Sequence, residues 1–190
     1  MKQITIAQTK LCCFIIGVCF LLILITGKAN PILAFNQQNF HVWQLISAHF
    51  VHYDFQHLSL NMLALVILLY LFPTTNKELA IGFVIAIALI DVFLLNSNVQ
   101  FYNGFSGLLY VIPGLALARF VLAKRYVYAF MILGIYLVYA IASQQNINVS
   151  ANITWTPLYQ AHLLGFVGGI FAGYTQIVIA SKKRNSPFTF

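Results

Sequence analysis

Gly104-Phe105-Ser106-Gly107-Leu108-Leu109-Tyr110-Val111-Ile112-Pro113-Gly114 decides how this chain reads. A polar loop ends at Asn103, and a serine between glycines opens an apolar run that continues to Leu122. Two other apolar runs open in a similar way. One begins His57-Leu58-Ser59-Leu60-Asn61, and the other carries Ala161-His162-Leu163-Leu164-Gly165 near its start. Ser, His and Asn are costly inside a bilayer, so three such clusters at the starts of apolar runs point to function.

The surroundings are those of a membrane protein. Of 190 residues, 61% are hydrophobic and 7% charged, where a soluble domain carries about 25% charged residues. One membrane domain over residues 1–190 is expected, with no second soluble module. Six apolar stretches stand out: Leu11–Gly27, His57–Phe72, Leu79–Leu95, Ser106–Leu122, Val127–Ser143 and Tyr159–Ala180. Each is near the roughly 17–25 residues a spanning helix needs. The fold class implied is an all-α membrane protein, a bundle of six transmembrane helices. Pro73 ends the second run, and Pro113-Gly114 is expected to kink the fourth.

Charge sets the orientation. Lys2, Lys10, Lys77, Arg119, Lys124, Arg125, Lys182, Lys183 and Arg184 fall on one side of a six-span layout, and Lys28 alone falls on the other. The positive-inside rule then places both termini in the cytoplasm. Anchoring at that face accounts for the net charge of +7, and no nucleic-acid partner is implied. The first run is read as a retained span, because no small-x-small cleavage site follows it in Thr26-Gly27-Lys28-Ala29-Asn30-Pro31. Cys12, Cys13 and Cys19 all lie inside that run and imply no disulfide framework.

With the N-terminus inside, the second, fourth and sixth spans all start at the outer face. His57 and Asn61, Ser106, and His162 therefore share one leaflet; at opposite ends of their helices they would lie about 30 Å apart. His57 and Asn61 are i, i+4 neighbours on one helix face, as are Ser106 and Tyr110. Gly165, Gly169 and Gly173 recur every four residues below His162, a smooth stripe that lets another helix approach. Gly107 and Gly114 offer a matching face on the fourth span. If the two faces meet, His162 comes beside Ser106.

A serine hydroxyl needs a base to become a nucleophile. His162 is the candidate base, and Asn61, His57 and backbone N–H groups near Ser106 are candidate donors to an oxyanion. No intramembrane acid stands out as a third member, so a Ser–His dyad is expected. Asp91 reads as a hydrogen-bonded or interface carboxylate. His49, His52 and His57 form a series that raises zinc, but only Asp54 accompanies them and no metal or cofactor is expected. His49 and His52 read instead as loop residues bonding backbone groups or lining the site entrance. Phe40–Tyr53 reads as a segment lying in the outer interface. Asn148-Val149-Ser150 and Asn152-Ile153-Thr154 match the glycosylation sequon but carry no meaning in a bacterial chain.

At these residues the chain resembles the rhomboid intramembrane serine proteases. Gly104-Phe105-Ser106-Gly107 matches the family's GxSG, His57 and Asn61 its HxxxN, and Ala161-His162 with Gly165 and Gly169 its AHxxGxxxG. The resemblance implies Ser106 as nucleophile, His162 as base, His57 and Asn61 as oxyanion contributors, and Tyr110 packed on the His162 ring. Gly104, Gly107, Gly165 and Gly169 are then supporting residues. Small size adds a looser similarity to the rhombosortase branch, which implies a Gly-Gly-containing C-terminal sorting tail as substrate. Where rhomboids often carry Trp-Arg in the first outer loop, this chain has Trp43-Gln44, which puts loop anchoring through that arginine in doubt.

The expected function is an intramembrane serine endopeptidase cutting transmembrane protein substrates near the outer face. Its expected place is a bacterial inner membrane, with the site toward the periplasm. An inactive relative that binds transmembrane clients would have lost Ser106 or His162. A small transporter using the buried His and Asn would leave the Gly-x-Ser-Gly context unexplained.

Overall fold

The computed structural model describes residues 6–27, 30–145 and 157–184. Lys2, Lys28 and the two sequons lie outside them. The helices are α1 (Ile6–Thr26), α2 (Gln44–Ser47), α3 (Phe55–Leu71), α4 (Asn76–Leu95), α5 (Ser106–Leu109), α6 (Val111–Leu122), α7 (Tyr126–Gln145) and α8 (Tyr159–Arg184). A strand pair departs from the all-α expectation. Strand β1 (Phe35–Asn36) runs antiparallel to β2 (Phe101–Tyr102), pairing Phe35 with Tyr102 and Asn36 with Phe101.

Capping explains where α3 and α4 begin. Asp54 Oδ1 accepts the His57 N–H at 2.7 Å. Thr75 and Glu78 form a capping box, each side chain accepting the other's backbone N–H. Both helices therefore start earlier than the apolar runs at His57 and Leu79, because a cap recruits a polar first turn. Lys77 belongs to that first turn of α4 rather than to a connection.

The fourth apolar run is two helices, broken at Tyr110. Pro113 has no N–H for the Leu109 carbonyl four residues back, and its ring crowds that carbonyl. The interruption therefore falls at Leu109–Tyr110, and Pro113-Gly114 itself lies inside α6. At the other end of α6, the Lys124 N–H bonds Val121 O and the Arg125 N–H bonds Phe120 O, with Lys124 at φ 57°. That is a Schellman closure, which satisfies two terminal carbonyls and turns the chain into α7.

By length and composition, Gln8–Thr26 and Asn76–Leu95 can cross a membrane, and Phe55–Leu71, Ser106–Leu122 and Tyr126–Tyr139 are shorter apolar helices. Large side chains such as Phe14, Leu24, Val84, Phe130 and Ile135 are exposed on the outside of the bundle. The interior is filled by Leu65, Leu79, Ala86, Leu108, Ile112, Leu115 and Ala172, with Ile15, Cys19 and Ile23 bringing α1 against α3. Helix α8 occupies the centre and packs on α4, α5 and α6, while α7 lies against α6. Far from Ser106, Arg119 bonds the Pro73 carbonyl at 2.6 Å and Glu78 at 2.5 Å, tying α6 to the start of α4.

Glycine sets the approach of α8 on two faces. A Cβ at Gly165 would strike the Gly107 carbonyl, and one at Gly169 the Val111 carbonyl with Leu115 N at 2.9 Å. On an adjacent face of α8, a Cβ at Gly168 would meet Ala86 backbone at 3.0 Å. Backbone therefore lies on backbone at two faces of one helix. Gly169→Ala already overpacks this contact and should cost about 1–3 kcal/mol, with Gly169→Val costing more. Gly134 on α7 has nothing within 4 Å of its added Cβ, so Gly134→Ala should be neutral or slightly stabilising. Unfolding midpoints of the three variants in one detergent check this, and an unperturbed Gly169→Val would show that α8 does not rest on α6 there.

Candidate active site

Helix α5 starts at Ser106, and α8 carries His162 in its first turn. His162 Nε2 and Ser106 Oγ are 2.9 Å apart, a hydrogen bond between residues 56 apart in the chain. His162 is buried, and Ser106 is partly exposed. The Tyr110 ring stacks on the imidazole at 4.6 Å and 18°. The other imidazole nitrogen, Nδ1, lies 2.9 Å from the Tyr139 hydroxyl on α7.

The loop before Ser106 is held by parts of the chain that carry no apolar periodicity. Gly104 donates its N–H to the Ala48 carbonyl at 2.9 Å. Its φ of +120° is one that side chains rarely adopt, and a Cβ there would lie 2.6 Å from His57 Cε1. Gly104 thus lets the loop lie flat on the His57 ring. Behind it, the Tyr102 hydroxyl sits 3.4 Å from both Gly104 O and His49 Nδ1. His49 Nε2 in turn meets Asp91 Oδ1 at 3.2 Å. Burial, and then the Asp91 charge, push the Tyr102 phenol up, so it stays protonated and able to donate.

His49 therefore departs from the expected loop role: its ring links α4 to the loop through two side chains rather than bonding backbone or lining an entrance. His52 does bond backbone, with Nδ1 3.2 Å from Phe50 O. Its ring stands edge-on to His57 at 5.2 Å. Burial, with His57 adding to it, pushes His52 down to about 3, so it is neutral near pH 7. His57 and Asn61 are both buried one turn apart on α3. Asn61 Nδ2 has no hydrogen-bond partner among the described residues. No three His, Cys, Asp or Glu side chains among the described residues are grouped to hold a metal ion.

The loop between α1 and α3 is organised by Gln44, which is fully buried. Its Oε1 accepts the N–H groups of Asn36 and His41 at 3.2 and 3.3 Å, and its Nε2 donates to Pro31 O and Ile32 O at 3.2 Å. The neighbouring Trp43 donates Nε1–H to Ile32 O at 2.9 Å. Phe40, Val42, Trp43 and Ile46 face outward.

Sequence reasoning missed Tyr139, the Gln44 anchor and the His49–Asp91–Tyr102 chain. Tyr139 is one of ten tyrosines, and nothing local distinguishes it. The Thr75–Glu78 box was legible and went unread.

Apolar helices enclosing a buried polar contact between serine and histidine are the arrangement of a membrane-embedded protein. A family model described as the Rhomboid domain matches residues 39–178, and the chain belongs to the rhomboid family. Members of that family are integral membrane proteins and intramembrane serine proteases that act on transmembrane substrates. Comparison with curated proteins gives no match.

Asp91→Ala leaves the buried His49 Nε2 without its partner and should cost about 1–3 kcal/mol of stability. Asp91→Asn keeps an acceptor and should cost less. Denaturation in detergent measures both, and a parent-like Asp91→Ala would remove His49 from the support of the Ser106 loop.

Proposed function

We propose that this protein is an intramembrane serine endopeptidase with Ser106 as nucleophile and His162 as general base. The observation that carries the reading is the 2.9 Å contact between Ser106 Oγ and His162 Nε2. Ser106 Oγ attacks the scissile carbonyl carbon while its proton passes to Nε2. The oxyanion formed is met by Asn61 Nδ2, by His57 and by backbone N–H groups at the start of α5. His162 returns the proton to the leaving amine, and water then hydrolyses the acyl-enzyme by the reverse sequence. An Asn61 amide without a partner among the described residues suits this role, since a preorganised donor gains its acceptor only as charge develops. Gly104, Gly107, Gly165 and Gly169 support the pair by permitting the backbone approaches around it, and Tyr110 holds the ring plane.

The proposed topology has six spans, α1, α3, α4, α5 with α6, α7 and α8, as one domain over residues 1–190. Both termini are cytoplasmic and the site opens to the outer face, in keeping with the nine-to-one division of Lys and Arg. The substrate is a transmembrane segment cut near its outer end. A Gly-Gly C-terminal sorting tail, on a periplasm-facing site in a bacterial inner membrane, is the finer proposal and rests on the rhombosortase resemblance.

Ser106→Ala should abolish cleavage of a transmembrane substrate while the protein stays folded. His162→Ala should be equally inactive and the double variant no worse, because members of one catalytic unit are not additive. Cleavage by Ser106→Ala at the parent rate would end the assignment. A reporter fused after Phe190 should read cytoplasmic and one within residues 144–157 external; an external C-terminus would reverse the orientation.

A further inference from the structure

His162 presents both ring nitrogens to side chains, Nε2 to Ser106 and Nδ1 to Tyr139, each at 2.9 Å. A neutral imidazole carries one hydrogen, and which nitrogen holds it is set by the bond the other makes. For Nε2 to take a proton from Ser106, the hydrogen must sit on Nδ1, and a group facing Nδ1 must accept it. In serine triads that group is a carboxylate. This chain has three acidic residues, and each is engaged elsewhere. Asp54 caps α3, Glu78 caps α4 and pairs with Arg119, and Asp91 meets His49. The phenol oxygen of Tyr139 is what stands at Nδ1.

The contact is a side-chain bridge from α7, which packs on α6, across to α8. One turn along each helix, Tyr136 stacks on Phe166 at 4.5 Å and 6°. Tyr136 and Tyr139 are i, i+3 on α7, and Phe166 and His162 are i, i−4 on α8, so the two pairs form successive rungs. The stacked rung fixes the register that brings the Tyr139 hydroxyl to Nδ1. Tyr110 covers the imidazole face and sets the ring plane.

We propose that Tyr139 is the positioning residue of this site: its hydroxyl oxygen accepts Nδ1–H of His162 and holds the tautomer in which Nε2 is free to receive the Ser106 proton. The inference rests on Ser106 and His162 acting as nucleophile and base. A phenol orients the ring without adding negative charge, so its contribution is that of one neutral hydrogen bond.

Two measurements on the full chain in detergent test this, with Tyr136→Phe as the comparison. Tyr139→Phe should lower kcat about tenfold with KM changed less than twofold, and Tyr136→Phe should change neither. With ¹⁵N-labelled histidine, the parent should show His162, assigned by its loss in His162→Asn, with Nδ1 protonated and Nε2 bare. Tyr139→Phe should shift that population toward Nε2–H, and Tyr136→Phe should not. A parent His162 protonated at Nε2 overturns the proposal without any variant. So does a Tyr139→Phe protein that keeps either its kcat or its tautomer. The tautomer can also be recorded in Ser106→Ala, so failure of the nucleophile assignment and failure of the Tyr139 role are separately visible.

Discussion

The close approach of α8 to α5 and α6 is the contact on which the remaining arrangement depends. Lipid tails compete equally well for apolar side chains, so helices in a bilayer hold together through fit. Gly165 against the Gly107 carbonyl and Gly169 against the Val111 carbonyl supply that fit. Gly107 follows Ser106 directly, and Gly165 lies less than a turn beyond His162. The packing contact and the serine–histidine contact are therefore neighbours on the same two segments. An axial slip of α8 that opened one would open the other. Gly168 against Ala86 blocks the sideways escape, because α4 holds an adjacent face of the same helix.

Helix packing sets the depth of His162, but the position of Ser106 comes from outside the helices. The residue before α5 continues into a loop bonded to Ala48, backed by Tyr102 and braced through His49 to Asp91 on α4. The short strand pair joins the same region to the loop between α1 and α3. Few charged groups are available in this chain, and the acids go to caps and braces. A neutral phenol at His162 is consistent with that scarcity: a carboxylate at the same depth would add a desolvation cost that a hydroxyl avoids.

The parts legible in the sequence were those with a period or a fixed neighbour. Apolar run lengths marked the helices, and glycines four apart on Tyr159–Ala180 marked the face α8 turns to α6. Ser106 and His162 stood out because polar residues rarely open apolar runs. Other parts depended on distance in the chain. Nothing near Tyr139 separates it from Tyr136 or Tyr128, because its meaning comes from a partner 23 residues away. His49 looked like His52 because both sit in one short segment, and only the fold shows that one ring faces Asp91 and the other His57. The break at Tyr110 was displaced from Pro113 by the four-residue reach of a helical hydrogen bond. Two-residue strands leave no alternation to read.

Gln44 holds the loop between α1 and α3 with uncharged bonds alone. An amide neither titrates nor attracts counter-ions, so ionic strength has no purchase on this anchor. The surface charge of the surrounding lipid cannot pull on it either. The loop beneath Trp43 should keep one shape in anionic and zwitterionic bilayers alike. In a family that acts on transmembrane substrates, this part of the frame around the site is then insulated from changes in its own solvent.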